Sequence, residues 1–163
     1  SRGTVAIIES DAQGRVAQAS LAELVKASPG AVQKVLDAPG EWDSFIRSLE
    51  IDGVTKRAKG HDFDMAFSFT AFDIDTKIAL DARANGADLT SPSGDLSRSI
   101  IAFHHAPSAG GTILTTTGRI RFRQAGRIMR TMIDNDPIFG HALNASSLTV
   151  MSRSFKLRSE GRR

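Results

Sequence analysis

The stretch His61–Ala82, "HDFDMAFSFTAFDIDTKIALDA", carries its large apolar residues first on odd positions and then on even ones. Phe63, Met65, Phe67 and Phe69 form the first set; Phe72, Ile74, Ile78 and Leu80 form the second. Successive side chains of a strand point to opposite faces, so an apolar set keeps one parity until a residue is inserted or the chain reverses. The crossing falls at Ala71-Phe72. Two geometries account for it: a β-bulge in one long bent strand, or a bend at "FDID" that divides two strands. Either predicts a strongly curved sheet, and a curved sheet can wrap a helix while leaving a hollow beside it. The odd set is expected to face the concave side.

The flanking sequence supplies the other elements. "TVAIIES", "DAQG" and "RVAQASLAELVKAS" read as a strand, a turn and a longer strand. Ser28-Pro29 has the form of an N-cap followed by proline at the first helical position, with Val32, Val35 and Leu36 at helical spacing behind it. Pro39-Gly40 interrupts, and Trp42, Phe45, Ile46 and Leu49 predict a second short helix. From Glu50 to Phe122 the signals are those of strands, broken at Lys59-Gly60, "ARANGAD", "SPSGD" and the hairpin loop "APSAG". In the last strand Leu114, Thr116, Ile120 and Phe122 share one face, while Thr115, Thr117, Arg119, Arg121 and Arg123 share the other. That is the alternation of a sheet with one wet face.

After a short amphipathic segment, "AGRIMRTMI", Asp136-Pro137 opens a helix expected over 136–160. Phe139, Leu143, Val150, Met151 and Phe155 form its apolar stripe, with the small residues Ala142, Ala145, Ser146 and Ser147 between them. Strands and helices segregated in this way predict an α+β fold with an antiparallel sheet. At 163 residues the chain is expected to be a single domain.

Several function classes are excluded by composition. There is no cysteine, so disulfides, thiolate metal sites and cysteine nucleophiles are absent. There is no tyrosine, which removes a common hydroxyl donor. No run approaches the ~18 apolar residues of a membrane-spanning helix, so a soluble chain is expected, with its compartment open between cytoplasm and export. The chain opens on Ser1 rather than methionine, which fits removal of a tag, a signal peptide or an upstream domain. The net charge is +3, much of it in "GRIRFRQAGRIMR" and "SRSFKLRSEGRR". This reads as a solvated basic face; an anionic membrane is the partner it would touch weakly. Nucleic acid is not expected, because no aromatic residues interleave as a stacking platform.

Chemistry inside a hollow would need polar groups there. The candidates are His61, Asp64, Asp73, Asp75, Asp81, Arg98, His104 and His105. Asp73 and Asp75 take the parity opposite to Phe72 and Ile74, which points them at solvent. Adjacent His104 and His105 project to opposite faces; His105 shares its parity with Ile101 and Phe103 and is expected near the cavity rim. No metal site is expected, since no third ligand has a recognisable spacing. No phosphate loop, nucleophile elbow or triad order appears.

Three stretches together resemble the START-like (SRPBCC) superfamily, which includes polyketide cyclase/dehydrase, coenzyme Q-binding and lipid-transport domains. They are "SLAELVKASPGAVQKVLDAPGEWDSFI", "GDLSRSIIAFHHAPSAGGTILTTTGRIRF" and the closing "SFKLRSE", and the resemblance spans roughly residues 16 to 160. It implies the helix-grip fold: a curved antiparallel sheet around a long C-terminal helix, two short helices near the N-terminus, and an elongated cavity between sheet and helix. Residues 1–15 fall outside that core and would add an extra edge strand. The resemblance implies binding or transport of a small hydrophobic ligand or lipid without a cofactor. The cavity walls are expected from Trp42, Phe45, Phe63, Met65, Phe67, Phe69, Ile101, Phe103, Leu114, Thr116, Phe139, Leu143 and Val150, with Trp42 and Phe45 as gate residues. The alternative is a cyclase/dehydrase-type enzyme in which His105 or Arg98 polarises a carbonyl. The absence of tyrosine departs from cyclase members that use one. A third reading is an interaction module with a filled core.

Overall fold

The structure is a computed structural model that describes residues 4–69, 72–122 and 125–162, with only the backbone of Phe69 and Phe72. The first strands, β1 (Val5–Ser10) and β2 (Val16–Val25), form a hairpin. Helix α1 (Pro29–Leu36) follows, capped by Ser28, whose side chain accepts from the Ala31 amide. The second short helix is a 3-10 helix, Pro39–Ser44, and Leu49 already belongs to the next strand. Six strands then run as a meander: β3 (Leu49–Arg57), β4 (Gly60–Phe69), β5 (Phe72–Arg83), β6 (Gly86–Gly94), β7 (Ile100–Ser108) and β8 (Gly111–Arg119). Helices α2 (Arg127–Asn135) and α3 (Pro137–Ser159) close the chain.

All neighbours are antiparallel, in the order β1-β2-β8-β7-β6-β5-β4-β3. The sheet curves around α3, which makes its main strand contacts with β2 and β8. This is the α+β helix-grip architecture. β1 lies at one edge of the sheet, paired only through β2.

The change of parity at Ala71-Phe72 comes from reversal of the chain, not from a bulge in one long strand. Phe69 pairs with Phe72, Phe67 with Ile74, Met65 with Thr76 and Phe63 with Ile78. Residues paired across strands share a face. Each of these pairs joins an odd residue to an even one, so the hairpin itself requires the apolar set to change parity. Ala71, the side chains of Phe69 and Phe72, and Arg123 lie outside the described residues.

A bulge does occur one strand further on, where Lys77 pairs with Ser93 but Ala79 pairs with Thr90. The extra residue in β6 lies at Ser91-Pro92, and proline is tolerated there because a bulge frees its position from the ladder. The loop "APSAG" is also tighter than its composition suggests: Ser108 pairs with Gly111, leaving Ala109 and Gly110 as the turn.

Candidate functional site

Helix α3 has two working faces. One is buried, made of Gly140, Asn144, Leu148, Met151, Ser152 and Phe155 at helical spacing. Its two polar members each have a partner. Asn144 accepts the Ile120 amide through Oδ1 at 2.8 Å and donates through Nδ2 to the carbonyls of Ile120 (3.2 Å) and Gly140 (3.1 Å). Ser152 donates to Glu23 Oε2 at 2.8 Å, and Thr4 donates to the other oxygen of the same buried carboxylate at 2.9 Å. These bonds seat α3 against β2 and the end of β8.

The adjoining face of α3, with Leu143, Ser146, Ser147 and Val150, stands away from β4, β5, β6 and β7. Between them lies a cavity of about 340 Å³. Its walls are Met65 and Phe67 of β4, Ile74 and Ile78 of β5, Leu89 of β6, Ile101 of β7, Leu96, and Ile120 and Phe122 beyond β8. The polar wall atoms are partly satisfied within the protein. The lining Ser91 and its neighbour Thr76 bond each other through their hydroxyls at 2.6 Å, and whichever of the two accepts in that bond donates to the Ser93 carbonyl, while Ser99 Oγ accepts the Arg121 amide at 2.8 Å. Arg47, Ser48, Ser146 and Val150 line the same space and are exposed, so they form its rim. Among the described residues, Arg47 is the single charged one in the lining.

Of the residues expected in the walls, Met65, Phe67, Ile101, Leu143 and Val150 line this cavity. The structure places the others elsewhere. Trp42, Phe45 and Phe103 meet Phe155 edge to face, with centroids at 5.0, 5.9 and 5.0 Å, and Phe63 meets Trp42 at 5.8 Å. Trp42 donates to the Val35 carbonyl at 2.9 Å, so it is an anchor of the core rather than a gate. Edge-to-face packing of five rings fills the end of the grip where the last turns of α3 lie, and leaves the hollow to the other end. Leu114 and Thr116 are wholly buried on β8; their register partners on β2 are Glu23 and Leu21, beneath the seated face of α3. Phe139 packs partly buried against the core.

His105 is buried on the same sheet face as Ile101 and Phe103, but it meets α1 rather than the cavity. Gln33 donates through its amide nitrogen to Asp37 and to the Gly86 carbonyl, which turns its oxygen toward His105 Nε2 at 2.7 Å. Nε2 therefore carries the proton of the neutral ring, and Nδ1 is buried without a partner. Burial above all, with the neighbouring His104 adding to it and Asp37 opposing, holds this imidazole below its ordinary pKa of 6.5. The unfolded chain then takes up a proton at higher pH than the folded one, so folding loses stability as pH falls through about 6.5 toward the depressed value. His105→Gln is expected to lose less stability between pH 7.5 and 5.5 than the parent, measured by urea denaturation at each pH. Equal losses would remove His105 as a source.

Arg98 is exposed in a left-handed turn (φ 66°), where its amide donates to Ser91 and its carbonyl accepts from Arg121 Nε. It does not line the cavity. His61 is half-buried, Asp81 pairs with Arg57, and Asp64 pairs with Lys77 on the outer face of the sheet. Asp73, Asp75 and His104 are exposed.

Several lining residues escaped the sequence reading. Ile74 and Ile78 were legible as the even half of the parity switch, but only the hairpin register puts them beside Phe67 and Phe63. Ser146 and Ser147 were visible as small residues on α3. Arg47 and Ser48 had no signal beyond their place after the second short helix.

No family model matches the chain, and no curated protein matches it either. Solved structures do resemble it. The di-domain ARO/CYC StfQ from the steffimycin biosynthetic pathway superposes with a TM-score of 0.72 at 12% identity, over 91% of this chain and 52% of that one. A START superfamily protein from Mycobacterium smegmatis gives 0.64 at 14% identity, over 88% and 97%. Ara h 8.0201 gives 0.60 at 12% identity, over 98% and 100%. The chain has the helix-grip fold of the START-like (SRPBCC) superfamily.

Proposed function

We propose that this protein binds a small, mainly apolar molecule in the hollow between α3 and strands β4 to β7, and carries or presents it. The observation that carries the reading is the cavity of about 340 Å³ with aliphatic, Met and Phe walls. That volume falls at the low end of small-molecule pockets, which run from roughly 300 to 1,000 Å³. Because the lining Ser91 and Ser99 are already hydrogen-bonded within the protein, the deep wall offers water little, and apolar cavities of this kind stay dry or take apolar guests. The exposed rim of Arg47, Ser48 and Ser146 suits a polar end of the ligand. Arg127 and Arg130 beside Ile128, which is 80% exposed, favour weak contact with an anionic membrane as a route of delivery.

Turnover as a cyclase or dehydrase is the less supported reading, because neither His105 nor Arg98 lines the cavity and His105 already bonds Gln33. Ser147→Phe tests the proposal. It places a ring in the hollow from the helix side, and uptake of the neutral dye Nile red should fall at least about tenfold, a loss of about 1.4 kcal/mol. The melting temperature should hold or rise. Undiminished uptake by the folded variant would remove the cavity as the binding site.

A further inference from the structure

A second pocket, of about 250 Å³, lies on the other side of the wall formed by Ile120 and Phe122. It sits where the β1-β2 turn, the segment leaving β8 and the start of α3 meet. Among the described residues, three half-buried arginines line it, Arg15, Arg119 and Arg121, against a single carboxylate, Asp11. We propose that this pocket binds a dianionic phosphoryl group between the three guanidiniums.

The charge balance supports this reading. Asp11 is largely committed: its Oδ1 accepts the amides of Gln13 and Arg15, each at 2.9 Å, and Oδ2 stands 3.6 Å from Arg15 Nε. Arg15 Nε is buried without a hydrogen bond. Arg121 gives one N–H to the Arg98 carbonyl at 3.2 Å, and its planar fork carries further donors that make no second side-chain hydrogen bond among the described residues. Burial first, and then the positive charges of Arg119 and Arg98, lower the pKa of Arg121. Like charges around one space repel, and among the described lining residues three guanidiniums against one carboxylate leave about two charges, the charge of a phosphate monoester. Guanidinium forks match phosphoryl oxygens two at a time. The first turn of α3 contributes little, since Asp136 already accepts the Ile138 amide and Pro137 has no N–H.

This pocket is separate from the apolar hollow, so the two readings stand or fall independently. The test is titration of the full chain with inorganic phosphate, with glycerol 3-phosphate, and with vesicles containing phosphatidate, each against chloride at matched ionic strength. Saturable binding of at least one of the three is expected, weakened at least about tenfold in Arg119→Gln/Arg121→Gln. Arg119→Lys/Arg121→Lys should recover part of it, and Nile red uptake should be unchanged in both. Phosphate and glycerol 3-phosphate binding in solution would identify a free phosphoryl ligand; binding to vesicles alone would identify a lipid headgroup. An effect equalled by chloride, no binding of any of the three, or binding that survives in the folded Gln variant would overturn the proposal.

Discussion

Phe155→Ala is expected to cost about 3–5 kcal/mol in unfolding free energy, measured by urea denaturation. Phe155 has no exposed surface and is the ring on which Trp42, Phe45 and Phe103 converge. Truncation removes its burial and opens a void among neighbours that are themselves held in place. Trp42 is tied to the Val35 carbonyl and Phe103 is fixed in the sheet between Ala87 and Thr116, so neither ring is free to collapse into the space. Each edge-to-face pair adds about 0.5–1.5 kcal/mol beyond its area. Phe155→Leu, which keeps most of the volume, should lose markedly less. A cost below about 1 kcal/mol for the alanine variant would show that the aromatic cluster is not the anchor of α3.

The second large effect is expected at Asn144. Its side chain satisfies both the amide and the carbonyl of Ile120, just past the end of β8 where the sheet ladder no longer does so. Asn144→Ala leaves these buried groups without partners. At about 1–3 kcal/mol for each, less whatever a water recovers, a loss of about 2–4 kcal/mol follows. A variant that merely loosened packing would also lose stability, so hydrogen exchange supplies the distinguishing measurement. Protection of the Ile120 amide should fall selectively, while amides of the β4-β5 hairpin keep theirs. Ile120 belongs to the walls of both pockets, so the same variant should also change Nile red uptake.

Much of the fold was legible because it rests on local periodicity. Ser28-Pro29 and Asp136-Pro137 marked helix starts that the structure shows capped. The alternation from Leu114 to Phe122 marked a sheet with one wet face. The candidate site was less legible. The sequence pattern predicts an apolar stripe on α3 through Phe139, Leu143, Val150, Met151 and Phe155, whereas the helix seats itself through Gly140, Asn144, Leu148, Met151, Ser152 and Phe155. Polar Asn144 and Ser152 look like surface residues in the sequence. They are buried because the Ile120 backbone and the Glu23 carboxylate, distant in the chain, supply their hydrogen bonds. Glu23 could have been noticed as a carboxylate alternating with Leu21 and Val25, but nothing local names its partner.

The sequence by itself determined which side chains of a strand share a face, because the two-residue period is a property of the extended backbone; on α3 the periodicity alone did not pick out the buried face. Tertiary structure alone decided which inward residues meet one another and which face empty space. Phe63 and Phe67 share a strand and a face, yet Phe63 packs into the aromatic cluster and Phe67 lines the hollow. The difference arises because hydrogen bonds from Asn144 and Ser152 hold α3 over β2 and β8, while its ring cluster fills only one end of the curved sheet.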